Sequence, residues 1–320
     1  MTETAQLTEL ITVRDFLRFA VTRFGEAGLS YGHGTATALD DAAFLILETL
    51  HLPVDSLEPW LDARLTRPER ATLAALIERR VVTRMPAAYL TKSAYIGPHR
   101  FYVDERVIVP RSFIGELLQD ELASLLDLDP VPLRILDLCT GSGCLAILAA
   151  HTFPGAIVTG GDLSRDALAV AAENVKRHRL DGRVSLVETD LFGRLDGEAY
   201  DLILCNPPYV TAAAVATFPP EYKAEPVLAH LGGTDGMELV RRVLAAAADH
   251  LTPHGTLVME VGQGRATLER GYPGLPFLWL DSEGSTGEVF ALSAEALQDG
   301  LKPKPKPVKK RATEPKPRRR

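Results

Sequence analysis

With 320 residues, 46% of them hydrophobic and 24% charged, the chain has room for one large domain and a smaller companion. No apolar run approaches the ~18–20 residues of a membrane span, and the first residues lack a basic segment leading into an apolar one, so a cytoplasmic protein without membrane attachment is expected. The net charge of −7 is unevenly spread: residues 301–320 hold ten Lys or Arg against the single acid Glu314, which leaves −16 on the preceding 300 residues. An acidic body repels nucleic-acid phosphates. The Pro/Lys-rich tail buries too little apolar surface to fold and reads either as a solubilising extension or as an arm for RNA.

In chain order, Val13, Phe16, Leu17, Ala20, Val21 and Phe24 recur at helical spacing behind a Thr12–Asp15 capping box, with Gly28 as a stop. A second apolar stretch covers Ala42 to Leu50. A third opens at Thr66-Arg67-Pro68-Glu69 and carries Leu73, Leu76, Ile77 and Val81. Several short helices in so few residues predict a small bundle. Between Tyr89 and Val109 the texture turns β-prone, broken by Gly97-Pro98 and Asp104-Glu105, which predicts a hairpin; a helix from Phe113 to Leu126 follows. Beyond Leu133 the expected strands are Arg134 to Leu138, Ala156 to Gly160, Val184 to Glu188, Asp201 to Cys205, Gly255 to Val261, Phe277 to Leu280 and Glu288 to Leu292. Helices Ser164 to Arg177 and Gly236 to Leu251 lie between them. Alternation of this kind predicts an α/β domain with a mainly parallel sheet covered on both faces.

Cys139, Cys144 and Cys205 show no metal-ligand spacing and read as small buried fillers. Only His250 and His254 are spaced for one helical face, and Pro253 between them should end that helix, so no metal is expected.

Chemistry concentrates after the first strand of this sheet. Ile135 to Leu138 runs into Cys139-Thr140-Gly141-Ser142-Gly143-Cys144, a strand turning through two glycines into a helix. That turn admits a ligand close to the backbone and aims free N–H groups at an anion. Asp162, at the end of the second strand of the sheet, can accept hydrogen bonds from both hydroxyls of a ribose. An adenosine-containing cofactor follows, but Gly141-x-Gly143-x-x-Ala146 also fits a nicotinamide or flavin enzyme, and a mere packing turn has the same glycines. Asp190, after the third strand, reads either as an adenine contact or as a turn cap.

Asn206-Pro207-Pro208-Tyr209 follows the fourth strand and faces the same crevice. Its chemistry suits methylation of a planar nitrogen, whose lone pair is delocalised. Asn206 Oδ1 and the Pro207 carbonyl can take the two N–H hydrogens of an amide, Tyr209 can lie flat on the target group, and the prolines stiffen the segment. A dehydrogenase has no use for such a peptide.

With these motifs the chain resembles the class I methyltransferases that act on planar amino groups, and within them the protein glutamine N(5)-methyltransferases. Val109-Pro110-Arg111-Ser112-Phe113-Ile114-Gly115-Glu116 is similar to the branch acting on large-subunit ribosomal protein three, since the release-factor branch follows Pro-Arg with Pro-Glu-Thr. Pro220-Glu221-Tyr222, Gly233-Thr234-Asp235-Gly236 and Tyr272-Pro273 through Trp279-Leu280 add to the likeness. The resemblance implies a Rossmann-like sheet that binds S-adenosylmethionine, preceded by a small helical domain. The expected division is a helical substrate-recognition domain at 1–88, a hairpin bridge at 89–111, a methyltransferase domain at 112–297 and a disordered basic tail at 298–320, the tail being the candidate contact to RNA or a ribosomal particle.

It also implies cofactor contacts at Asp137, Cys139, Thr140, Gly141, Ser142, Gly143, Asp162, Asp190, Leu191 and Asn206. Asn206, Pro207 and Tyr209 would be catalytic, and Asn206, Pro207, Pro208 and Tyr209 would bind the substrate glutamine. Leu191 stands where the release-factor branch often carries an aromatic residue. Three rivals remain at this point: a release-factor methyltransferase, a nucleic-acid adenine methyltransferase, which the acidic body disfavours, and a non-catalytic ribosome-assembly factor.

Overall fold

The computed structural model describes residues 9–120, 122 and 133–301; residues 302–320 of the basic tail and the far end of the helix expected to reach Leu126 lie outside them, whereas 298–300, expected to be disordered, end a helix that Ser293 caps. Among the described residues the first complete α-helices are α1 (Val13–Glu26), α2 (Ala38–Thr49), α3 (Arg67–Thr83) and α4 (Ala87–Thr91). Thr12 Oγ1 accepts the Asp15 N–H while Asp15 accepts that of Thr12, and Thr66 with Glu69 repeats the device at α3. Each box satisfies donors that helix geometry leaves orphaned. Phe16, Ala20, Phe24, Leu45, Ile46, Leu73 and Ile77 close a core of their own between these helices. α2 begins four residues before the apolar stretch because Thr37 caps the Asp40 N–H. Tyr89, expected in the extended stretch, is instead on α4, where its hydroxyl donates to the Val107 carbonyl.

A short hairpin, β1 (Ala94–Ile96) and β2 (His99–Phe101), turns through Gly97-Pro98. The chain then enters α5 (Phe113–Asp120) and a seven-stranded sheet. Its strands are β3 (Arg134–Leu138), β4 (Ile157–Asp162), β5 (Val184–Glu188), β6 (Tyr200–Cys205), β7 (Leu251–Glu260), β8 (Leu278–Leu280) and β9 (Val289–Ser293), in the spatial order β5-β4-β3-β6-β7-β9-β8. Only β9 runs antiparallel to its neighbours. Between the strands lie α6 (Cys144–Thr152), α7 (Arg165–Arg177), α8 (Ala212–Val215), α9 (Glu238–Ala246) and α10 (Arg265–Gly271), with α11 (Ala294–Gly300) after β9. Two apolar layers fill the sheet's faces, one with Ile135, Ile147 and Leu204, the other with Leu136, Ile203 and Val243.

β7 begins at Leu251, four residues before the expected Gly255. Thr252-Pro253-His254 is polar and contains proline, yet a register irregularity beside Tyr200 accommodates it, as bulges do. His250 ends the short helical turn after α9 and His254 lies on the strand, so the two imidazoles share no helical face. Among the described residues no helix is long and apolar enough to cross a membrane.

Candidate active site

Strand order reverses at β3, which has β4 on one side and β6 on the other, both parallel to it. At such a switch point the loops leaving adjacent carboxyl ends diverge and open a crevice. Asp137 pairs with Gly160 and Leu204, and Asp162 with Glu188, so the four strands end level and their loops gather at one edge.

In the first loop Gly141 (φ +56°) and Gly143 (φ +79°) adopt left-handed backbone. A Cβ on Gly143 would stand 3.1 Å from that of Ala171, so a side chain there would push α6 off α7. Asp137 is wholly buried beneath the loop. Its Oδ2 accepts from Thr140 Oγ1 at 2.5 Å and the Ala146 N–H at 3.0 Å, while Oδ1 has no hydrogen-bond partner among the described residues. Burial raises its carboxyl to about 7 against those two bonds. Asp162 accepts from the Gly141 N–H at 2.9 Å and the Ser164 N–H at 2.8 Å, and burial raises its pKa as well.

A cavity of about 470 Å³ opens above these loops. Cys139, Gly141, Asp162, Asp190, Leu191, Asn206 and Pro208, all expected from sequence, line it. Asp137, Thr140, Ser142, Gly143, Pro207 and Tyr209 lie near these residues in the chain without lining the cavity. Cys139 is thus a wall residue rather than a buried filler. Asp190 forms an exposed ion pair with Arg242 at 2.8 Å instead of a turn cap.

The tetrapeptide is clamped by the segment 230–236. Val210 N–H donates to the His230 carbonyl and Gly232 N–H to that of Val210, both at 2.9 Å. A Cβ on Gly232 would come within 2.7 Å of the Pro208 carbonyl and Tyr209 Cα. Tyr209 lays its ring on Gly262, where a Cβ would be 2.7 Å from the ring, and donates its hydroxyl to Glu260 Oε1 at 3.0 Å. Glu260 also accepts from Ser112 Oγ and the Phe113 N–H. The Asn206 side chain, by contrast, has no hydrogen-bond partner among the described residues.

The family model for the methyltransferase small domain matches residues 119–218, the stretch that holds both motifs. A ribosomal protein uL3 glutamine methyltransferase from Bradyrhizobium diazoefficiens is 52% identical over 295 residues, covering 90% of this chain and 92% of its own. Those from Neisseria meningitidis serogroup B (53%; 90% and 95%) and Burkholderia pseudomallei (50%; 92% and 98%) are similar to the same extent. The chain belongs to the ribosomal protein uL3 glutamine methyltransferase family. It is a methyltransferase, and S-adenosylmethionine is its methyl donor.

The residues of this methyltransferase fit that cofactor. The cavity is within the range of small-molecule sites, and its floor offers backbone N–H groups at a helix start and a carboxylate at the end of β4. Its mouth carries Leu163, Leu228 and Leu231, which are exposed, as apolar rims of binding sites are. Several wall residues were not foreseen: Arg106, Val107 and Ile108 after the hairpin, Leu163 beyond β4, and Pro226, Leu228, Ala229, Leu231 and Gly232. Their parts of the chain come together only on folding. Glu260 did carry a signal, a lone acid closing the apolar run Leu257-Val258-Met259.

Proposed function

We propose that the chain transfers a methyl group from S-adenosylmethionine to the side-chain amide nitrogen of a glutamine in ribosomal protein uL3, in the cytoplasm. The observation that carries the chemical part is Asn206, whose amide is free at the cavity wall while its neighbours are locked on both sides. When bound, S-adenosylmethionine supplies an electrophilic methyl group whose departure leaves a neutral thioether. Asn206 Oδ1 and the Pro207 carbonyl accept hydrogen bonds from the two N–H groups of the glutamine amide and so aim its lone pair along the transfer line; once the nitrogen–methyl bond forms, one of these hydrogens leaves as a proton to solvent. Pro207 and Pro208, lacking N–H donors, hold those acceptors still. Tyr209, anchored by Glu260 and Gly262, is the surface on which the planar amide rests. Loop residues Cys139 to Gly143 hold the amino-acid end of the cofactor, Asp162 its ribose, and Asp190 with Leu191 the adenine side. Residues 1–88 supply the recognition surface for the substrate protein, joined by the bridge 89–111 to the methyltransferase domain 112–297.

The test is incubation with methyl-labelled cofactor and purified uL3, a release factor or unmodified DNA, followed by mass spectrometry. Label on a uL3 glutamine alone is the expected result; label on the release factor or DNA overturns the substrate. Asn206→Ala should lower single-turnover rate by about 100- to 1,000-fold, the usual loss for one orienting donor or acceptor, with cofactor affinity nearly intact. Near-normal turnover would remove Asn206 from the mechanism.

A further inference from the structure

α6 and α7 both start at the catalytic mouth and end on the opposite edge of the sheet. His151 occupies the last turn of α6, and His178 is the residue that caps α7. His99, on β2, meets them there, so that three imidazoles from three elements bring their ring nitrogens within 4.8 Å of one another. No other group of three or more metal-ligating side chains this close exists among the described residues.

The hydrogen bonding fixes one ring. His178 Nε2 is 3.0 Å from the Arg100 carbonyl, which can only accept, so Nε2 carries the proton and Nδ1 presents its lone pair to His151. A carbonyl on the far nitrogen is the usual partner behind a metal-bound imidazole. His178 is held further by Phe101, stacked on it at 5.1 Å. His151 Nε2 lies 3.2 Å from His178 Nδ1. A tetrahedral ion with bonds of about 2.0–2.1 Å sets its ligand nitrogens about 3.3–3.4 Å apart; this pair is within about 0.2 Å of that separation. His99 stacks on His151 with centroids 4.8 Å apart and planes 20° from parallel, so its half-exposed ring has to rotate out of the stack to aim at the same point.

The local field suits a cation. Two helix C-termini converge on the cluster, each the negative end of its dipole. Arg183, whose charge is felt at His151, is held by the carbonyls of Ala150, Phe153 and Pro154, to which its guanidinium donates. Three neutral imidazoles with no carboxylate or thiolate select a borderline transition ion over Ca²⁺ or Mg²⁺.

We propose that His99, His151 and His178 form a site for one divalent transition-metal ion, Zn²⁺ first, with solvent completing the coordination. The ion would pin the hairpin to the ends of α6 and α7. It would reinforce the clamp in which Asn174 of α7 accepts the Tyr102 N–H at 2.7 Å and donates to the Tyr102 carbonyl at 2.9 Å.

The experiment uses the full-length chain without a histidine tag, stripped with a chelator and titrated with Zn²⁺ by calorimetry and with Co²⁺ by visible absorption. One equivalent should bind, with ligand-field bands, no sulfur-to-metal charge-transfer band, and a rise in Tm. His151→Asn, at an exposed position, and separately His99→Gln should each weaken affinity at least about tenfold and remove that rise in Tm, with S-adenosylmethionine affinity unchanged as the check on folding. Absence of stoichiometric binding, affinity unaltered in both variants, or a thiolate charge-transfer band pointing to Cys139 would each overturn the site.

Discussion

Two regions bury carboxylates, and they do so in opposite ways. At the mouth, Asp137 and Asp162 are met only by backbone N–H groups and a hydroxyl, and burial drives both pKa values up. At the seam where the helical bundle meets the loop after the tetrapeptide, Glu225 is equally buried. There burial is outweighed by Arg111, which forks onto both oxygens at 2.7 Å, and by His230, so its pKa falls to about 2. Glu221, beside it, takes the Ser30 N–H and pairs with Arg84 at 2.7 Å. A buried acid with a cation is a bolt. A buried acid without one is costly to the fold and is kept where a ligand supplies the missing partners.

The largest effect should come from unmaking a bolt. Arg111→Met leaves Glu225 charged and buried, which costs about 3–5 kcal/mol when one partner of such a pair is removed. His33, 3.7 Å from Glu225 beside the nearer His230, is then a group able to restore a positive charge by taking up a proton. The variant's deficit, followed by thermal unfolding, should therefore shrink as pH falls from 7 toward 5. A loss below about 1 kcal/mol, or one indifferent to pH, would show that the seam is held by packing alone.

Little of that seam was legible in the sequence. The glycine loop and Asn206 to Tyr209 announce themselves because each is a contiguous string whose backbone chemistry is local. Seven strands were likewise readable from short apolar runs. Arg111 and Glu225 are 114 positions apart, and Ser30 and Glu221 are 191 apart; no local feature tells a buried glutamate from a solvated one. The three histidines, at 99, 151 and 178, are scattered in the same manner. Ligand spacing along the chain singles out only His250 and His254, a pair that Pro253 already argues against and that the fold separates.

The comparison also makes opposite pH slopes. His33 faces Glu225, Arg111, Arg80, Glu221 and the Tyr222 ring, and burial lowers its pKa from 6.5 to about 4. The unfolded chain thus takes up this proton below about pH 6.5 while the folded chain resists until about 4, and stability falls across that window by about 3 kcal/mol. Glu225 adds its own loss only as pH drops from about 4.5 to about 2. Asp137 acts in reverse. With a folded value near 7, it weakens the fold as pH rises from about 4 to 7, because the unfolded carboxyl gives up its proton first. His33→Gln should flatten the acid limb of a Tm profile between pH 6.5 and 4 and leave the neutral limb alone. An unchanged acid limb would assign it to other groups.

The smallest effect is the most discriminating, because the mouth and the seam should respond to loss of a carboxylate charge with different signs. Asp162→Asn keeps one oxygen for the Gly141 or Ser164 N–H and removes a buried charge that nothing cationic neutralises. Unfolding should show no loss of stability beyond about 0.5 kcal/mol, and a small gain is consistent with the relief of desolvation. Cofactor affinity should nonetheless weaken by roughly 10- to 100-fold, since hydrogen bonds to a charged acceptor are worth about 1.5–3 kcal/mol. Calorimetric titration with S-adenosylmethionine alongside thermal unfolding separates the two quantities. If stability drops while affinity holds, Asp162 is another bolt, tying the glycine loop to the start of α7, and the ribose must be held by other groups in the cavity wall.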